Sequence, residues 1–153
     1  MSAQLKEGPL LRPMRVEDVE QVVRVERSIY EFPWTRGNFL DSMRARYHCY
    51  VYELEHALVG YGVVMTGADE AHLLNLSIAA EWQRRGYGRQ LLERFLEAAR
   101  SRGASRIILE VRPSNPRAAR MYERAGFRVI GVRPGYYPAA NGREDAVVME
   151  RVL

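Results

Sequence analysis

Leu76-Ser77-Ile78-Ala79-Ala80-Glu81-Trp82-Gln83-Arg84-Arg85-Gly86-Tyr87-Gly88-Arg89 decides how the rest of the chain is read. An apolar strand runs into a turn with glycines at Gly86 and Gly88, and the turn opens into a segment with Leu91, Leu92, Phe95, Leu96 and Ala99 at helical spacing. In such a turn successive backbone N–H groups converge, and the following helix adds about half a positive charge at its N-terminus. Arg84, Arg85 and Arg89 supply further positive potential. The ligand this chemistry suits is a diphosphate; the alternative is a glycine-rich turn of no chemical consequence. A P-loop is excluded, because no lysine follows the glycines. A dinucleotide fingerprint is excluded too, because Leu91 stands where its third glycine belongs.

Upstream of the turn, Leu10 to Arg12 reads as a short strand and Val16 to Ser28 as a helix, with Val19, Val22, Val23 and Ile29 along one side. Phe32-Pro33-Trp34-Thr35 breaks that helix, and Thr35 suits the N-cap of a second one through Met43. Tyr47 to Glu53 and Leu58 to Thr66 read as an antiparallel pair turning near Glu55-His56, with Ala71 to Ile78 as the next strand. Downstream, the striped helix runs from Gly88 to Arg102 and stops at Gly103. Ile107 to Val111 is an almost wholly apolar, central strand, and Pro116 to Ala125 a helix with its proline in the first turn. Phe127 to Val132 and Ala146 to Val152 are the last strands, their connection carrying the turn signal Asn141-Gly142. The order β-α-α-β-β-β-α-β-α-β-β predicts an α/β (α+β) fold, a mixed and mostly antiparallel central sheet flanked by helices. At 153 residues the expectation is one domain over 9–153, preceded by a flexible extension over 1–8.

The 47% apolar and 27% charged residues are globular values, which sets aside intrinsic disorder, collagen and coiled coil. No uncharged apolar run is long enough for a membrane span, and residues 1–8 hold no apolar core of a secretory signal. A cytoplasmic protein, away from membranes, is expected. The net charge of +4 is almost all arginine, since Lys6 is the only lysine. Arginine alternates with glutamate, as in Arg24-Val25-Glu26-Arg27, which describes a solvated helix surface rather than a face for nucleic acid. Cys49 is the sole cysteine, so no intrachain disulfide forms. It lies in the strand run Tyr47-His48-Cys49-Tyr50, where neighbours point to opposite faces, and only His56 and His72 accompany His48. That argues for a structural thiol and against a metal centre.

Gln83-Arg84-Arg85-Gly86-Tyr87-Gly88 resembles the Gln/Arg-x-x-Gly-x-Gly/Ala motif of the GNAT acetyltransferases, and the resemblance extends over essentially the whole chain. Three further segments resemble one branch, the RimI-type ribosomal-protein N-terminal alanine acetyltransferases. These are Phe32-Pro33-Trp34-Thr35, Leu109-Glu110-Val111-Arg112-Pro113-Ser114-Asn115, and Tyr136-Tyr137-Pro138 with Gly142-Arg143-Glu144-Asp145-Ala146. The resemblance implies acetyl-CoA as co-substrate, with no metal. The backbone of Leu76, Ser77 and Ile78 would pair with its pantetheine arm. The amides of Arg84, Arg85, Gly86, Tyr87, Gly88 and Arg89 would hold its diphosphate, and Asn115 would hydrogen-bond the arm. Glu110 would accept a proton and Tyr122 donate one, in direct transfer within a ternary complex.

The residues read alone leave more open. Glu110 interrupts Ile107-Ile108-Leu109-Glu110-Val111, where an unpaired buried carboxylate is costly; it either serves chemistry or pairs with Arg112 two residues on. Tyr122 lies seven residues from Asn115, on the same helical face, as a donor or as a core residue with its hydroxyl at the rim. Phe32, Trp34, Tyr136 and Tyr137 are candidates to line the acceptor groove or to pack the core, and Glu144 and Asp145 to meet a cationic peptide or to sit in a solvated turn. An α-amino group is about 10–20% neutral near pH 7 and a lysine below about 0.1%, so an N-terminal acceptor needs little help from a base. The branch implies the N-terminal alanine of the eighteenth small-subunit ribosomal protein as acceptor; a monomer is the expectation. The alternatives are a lysine or small-amine acetyltransferase and a non-catalytic acetyl-CoA-binding module.

Overall fold

The computed structural model describes residues 8–153, so the expected N-terminal extension lies, apart from Gly8, outside the described residues. The chain forms β1 (Leu10–Pro13), α1 (Val19–Ile29), α2 (Arg36–Arg44), β2 (His48–Leu54), β3 (Ala57–Gly67), β4 (Glu70–Ile78), α3 (Tyr87–Ser101), β5 (Arg106–Val111), α4 (Pro116–Arg124), β6 (Arg128–Ala139) and β7 (Gly142–Val152). Short 3-10 turns at Val16–Asp18 and Ala80–Trp82 precede α1 and the glycine turn. The first of these is the start of what reads in sequence as one continuous helix. The strands make one sheet in the order β1-β2-β3-β4-β5-β7-β6, and only β4 and β5 run parallel. The element order matches the sequence reading.

Alternation along the strands divides the core between two faces. On one, Val19, Val22 and Val23 of α1 and Phe39 of α2 pack against Val51, Tyr61 and Val63. On the other, Leu91, Leu92, Phe95, Leu96 and Ala99 of α3 meet Val59, Val64, Leu73, Ile107 and Leu109. Local sequence sets the helix ends. Thr35 Oγ1 accepts from the Asn38 amide (3.1 Å), and Asn38 Oδ1 accepts from the Thr35 amide (2.8 Å), a reciprocal cap for α2. Gly103, at φ +88°, ends α3 and lets Ala104 N reach Ala99 O at 3.1 Å.

Two departures from regular pairing open the centre of the sheet. The β3–β4 register shifts between Val63 and Val64, bulging β4 at Leu74. Parallel pairing between β4 and β5 then ends at Leu73↔Leu109, although β4 continues to Ile78 and β5 to Val111. The two strands therefore diverge in the middle of the sheet. Directly behind the free part of β4, Gly60 and Gly62 bring β3 close: a Cβ there would come within 2.5 Å of Ser77 O and 2.6 Å of Asn75 O. The last hairpin is much longer than the sequence reading placed it. Residues 133–145 are not an open connection; β6 and β7 extend through them to the two-residue turn Ala140-Asn141. Register shifts at Val129/Gly131 and Arg133/Tyr137, beside Pro134 and Gly135, interrupt the alternation that would have revealed the strands. Among the described residues no helix is long and apolar enough to cross a membrane.

At the opposite edge, Arg12 on β1 forks onto Asp18 (2.8 Å twice) and reaches Glu53 (3.0 Å), fastening β1 and β2 to the start of α1. The Arg12 guanidinium holds the Asp18 carboxyl below its usual range. A carboxylate depressed in the folded state stabilises it above the unfolded value near 3.9, and that contribution is lost as pH falls through the lower folded value. Asp18→Asn is expected to cost about 1–2 kcal/mol near neutrality, and the difference from the parent should shrink as pH falls below the usual carboxylate range, as read by urea unfolding across that range. Gly62→Ala should cost about 1–3 kcal/mol by the same measurement at any pH, because its methyl meets backbone and the Phe95 ring.

Candidate active site

Where β4 and β5 part, two cavities open and share Leu76, Asn115 and Ala118. The first, of about 720 Å³, runs between the glycine turn and α4, with Ile78, Gln83, Arg84, Gly86, Gly88 and Arg89 along one wall. The second, of about 590 Å³, lies between the loop after α1, the ends of β4 and β5, and the β6–β7 hairpin.

The glycine turn supplies donors without acceptors. Arg84 (φ +63°) and Gly86 (φ +86°) take left-handed conformations, and Gly86 caps α3 with no side-chain hydrogen bond. Among the described residues, none of the amides of residues 84–89 has a backbone acceptor. Alternating backbone hands of this kind make a concave nest for an anion. A Cβ on Gly88 would stand 3.3 Å from Met121 Sδ, so the missing side chain keeps α4 close. Gln83 Nε2 donates to Ile78 O (2.9 Å) and ties the turn to its strand. Arg85 and Tyr87 do not line the first cavity: the Arg85 guanidinium lies 5.3 Å over the Trp82 ring, and Tyr87 packs edge-on against the same ring.

Leu76 and Ile78 line the first cavity, whereas Ser77 points to the α1 face and is buried. Ser77 has a role beyond its backbone. Its Oγ shares a 2.7 Å hydrogen bond with Tyr30 Oη and donates to Asn75 Oδ1 (2.7 Å). Asn75 Nδ2 reaches Glu26 Oε1 (3.3 Å), which also accepts from Tyr61 Oη (2.6 Å), while Glu26 Oε2 accepts from the Trp34 amide (2.9 Å). Burial raises the Glu26 carboxyl, and these three donors pull the other way. The reading of Arg24-Val25-Glu26-Arg27 as solvated surface is corrected here: Glu26 is buried, because it continues the inward stripe of Val19, Val22 and Val23 at helical spacing.

In the second cavity Glu110 is buried, its side chain only 6% exposed. The expected partner is corrected by the structure: Arg112 does not pair with it. His72 does, with Nε2 at 2.5 Å from Glu110 Oε2. Arg133 Nε lies 3.2 Å from Glu110 Oε1, near enough for Coulomb attraction but misaligned for a hydrogen bond, so Oε1 is a buried acceptor with no hydrogen-bond partner. His72 escaped the sequence reading; a half-buried histidine amid the apolar alternation of β4 was its one signal. Tyr122 is buried in the same cavity, edge-on to Phe127 at 5.6 Å. Burial, with Tyr30 and Tyr137 nearby, pushes its phenol well above the ordinary value, so it stays protonated at neutral pH. Asn115 caps α4 through Oδ1, which accepts from the Ala118 amide (3.3 Å). Its Nδ2 has no internal acceptor among the described residues.

Phe32, Trp34, Tyr136 and Tyr137 all line the second cavity. Trp34 also packs on Phe39 at 5.1 Å, so it serves core and cavity together. Glu144 and Asp145 are not free anions. Glu144 holds Arg112 (3.1 Å) and both the amide and hydroxyl of Ser114, and Asp145 accepts from the Gly135 amide (2.8 Å). Arg112 in turn donates to Pro138 O (2.8 Å) and lies 4.2 Å over Tyr137 and 5.3 Å over Phe32, joining the two walls. Cys49 is buried, its thiol pushed up to about 11, and it lines neither cavity.

Comparison with known proteins gives a consistent result. The sequence model of the acetyltransferase (GNAT) family matches residues 19–127. The ribosomal protein bS18-alanine N-acetyltransferase of Escherichia coli (strain K12) is 32% identical over 136 residues, 89% of this chain and 92% of that protein. Its counterpart from Haemophilus ducreyi is 34% identical over 138 residues, 90% of this chain and 95% of that protein. The crystal structure of the ribosomal-protein-S18-alanine N-acetyltransferase from Escherichia coli superposes with a TM-score of 0.87 at 30% identity, covering 94% of this chain and 93% of that one.

A side chain at Gly86 would have to adopt φ +86° and would swing the nest amides apart, at about 1–2 kcal/mol. Gly86→Val is therefore expected to weaken inorganic pyrophosphate binding by about tenfold or more, read by calorimetric titration, while leaving the second cavity unaltered.

Proposed function

The chain belongs to the GNAT acetyltransferase family and uses acetyl-CoA, and from that premise we propose that it acetylates the N-terminal amine of a protein, with the N-terminal alanine of ribosomal protein bS18 as acceptor. The acceptor is the one named for relatives 32–34% identical over most of both chains. One observation carries the site reading: the two cavities meet at Leu76, Asn115 and Ala118, with a buried carboxylate and a protonated phenol lining the second. The same reading treats residues 9–153 as one domain, acting as a cytoplasmic monomer without nucleic acid or membrane.

The residues of the first cavity fit the co-substrate. The partnerless amides of 84–89 suit its diphosphate; the edge of β4 at Leu76–Ile78, unpaired by any strand although Ile78 O accepts from Gln83 and Leu76 O from Tyr30, suits its amide-bearing arm; and Asn115 Nδ2 is a donor at the junction. When bound, acetyl-CoA supplies an activated acetyl thioester. Glu110 Oε1, buried and lacking a hydrogen-bond donor, removes the proton from the incoming amine. His72 holds the other oxygen and fixes the direction of the carboxylate. Tyr122 gives its proton to the departing sulfur. Phe32, Tyr136 and Tyr137 form an apolar, π-faced wall for the first residues of the peptide. Glu144 and Asp145 act at one remove, by holding Arg112 and the hairpin in place.

Incubation with acetyl-CoA and a peptide panel, read by mass spectrometry, tests the acceptor. One acetyl group on the first alanine is expected. Acetylation confined to lysine would replace this reading with the lysine one, and binding without product with the non-catalytic one. Glu110→Gln should lower turnover by about 10²–10⁴-fold and His72→Ala by up to about 100-fold, each with unchanged acetyl-CoA affinity. Tyr122→Phe should slow turnover without weakening acetyl-CoA binding; full turnover under chemistry-limited conditions would remove its donor role. Cys49→Ala should leave the rate unaltered.

A further inference from the structure

The wall of the first cavity opposite the glycine turn carries Arg117, Arg120 and Arg124 of α4. Their spacing of three and four residues sets them in one stripe, which spans about 10 Å along the helix axis. All three are exposed, and among the described residues none has a carboxylate within salt-bridge reach, unlike Arg89 across the cavity, which pairs with Glu93 at 3.1 Å. Like charges at this spacing repel. Arg117 is further disfavoured where it stands, since it follows Pro116 in the first turn of α4 and the N-terminus of a helix already carries positive potential. An anion between the walls would relieve this repulsion.

The diphosphate does not account for it. The nest at residues 84–89 already offers that group a full set of amides together with Arg84. Acetyl-CoA carries a second, separate anion, the phosphomonoester on its ribose, with about 1.5–2 negative charges near neutrality. We infer that Arg117, Arg120 and Arg124 form a subsite for this 3′-phosphate, so that the chain selects the phosphorylated coenzyme over its dephosphorylated form. The inference rests on the proposed position of the cofactor in the first cavity. Guanidinium groups suit the task, since their planar forks match phosphate oxygens and keep their charge at any accessible pH.

Calorimetric titration of the full chain with CoA and with 3′-dephospho-CoA tests it. The parent is expected to bind CoA about tenfold or more tightly than dephospho-CoA, with the difference shrinking as salt rises. Replacing Arg117, Arg120 and Arg124 together by alanine should abolish that preference and lower dephospho-CoA affinity far less than CoA affinity. Alanine favours helix, so α4 is expected to persist, with an unchanged melting temperature as the check. Replacement by lysine should restore most of the preference. Equal binding of both ligands by the parent, or a preference that survives the triple alanine variant, would overturn the inference while leaving the cofactor cavity intact. Gly86→Val separates the two readings: it should weaken both ligands alike, and undiminished binding of both would overturn the cavity assignment and the subsite with it.

Discussion

A parallel pair of strands that stops pairing part-way is the constraint on which the molecule depends. Hydrogen bonding between β4 and β5 ends at Leu73↔Leu109, and beyond it β4 presents a free edge inside the sheet rather than at its margin. Unpaired backbone groups are normally satisfied or exposed to water, and an open edge attracts another strand. Here the opening is held by packing on both faces. The bulge at Leu74 turns β4 away from its neighbour, while the close approach at Gly60 and Gly62 keeps β3 and α3 tight behind it. On the opposite face, Tyr30, Ser77, Asn75 and Glu26 tie the diverging strand to α1. The fold thus leaves an edge that it cannot close by itself, the edge proposed above for the acyl donor.

The second cavity holds a carboxylate that is only partly paired. A carboxylate in an apolar strand is costly unless it finds partners. At Glu110, His72 occupies one oxygen, while Arg133 lies beside the other without a hydrogen bond. Arg112, nearer in sequence, is drawn instead to Glu144 and to the faces of Tyr137 and Phe32. Glu110 Oε1 is thereby left without a hydrogen-bond donor, and the partners of Arg112 join the walls of the cavity rim.

How much was legible in the sequence depends on the range of the interactions. The strand–turn–helix around Gly86 and the caps at Thr35 and Gly103 are written within a few neighbouring residues, and all are present. The setting of Glu110 is not local. Its partner His72 is 38 residues away and reaches it only because β4 and β5 are parallel neighbours in a register that sets His72 opposite Ile108. The anionic side chains at Glu144 and Asp145 looked available because the hairpin that employs them was hidden by register shifts and by Pro134 and Gly135. The network from Glu26 to Tyr30 was unreadable for the same reason, since three separate elements contribute to it.

Those register shifts also bear on the colloidal behaviour of the protein. β6 is an outermost strand twelve residues long, with Val129, Ile130 and Val132 turned to solvent, a profile that invites edge-to-edge recruitment of further chains into cross-β stacks. Each shift breaks the straight row of donors and acceptors such a stack would need, Pro134 removes one donor outright, and Arg128 and Arg133 bracket the apolar stretch as charged gatekeepers. The irregularities that concealed the hairpin from a periodicity reading are thus the ones that keep this margin from polymerising.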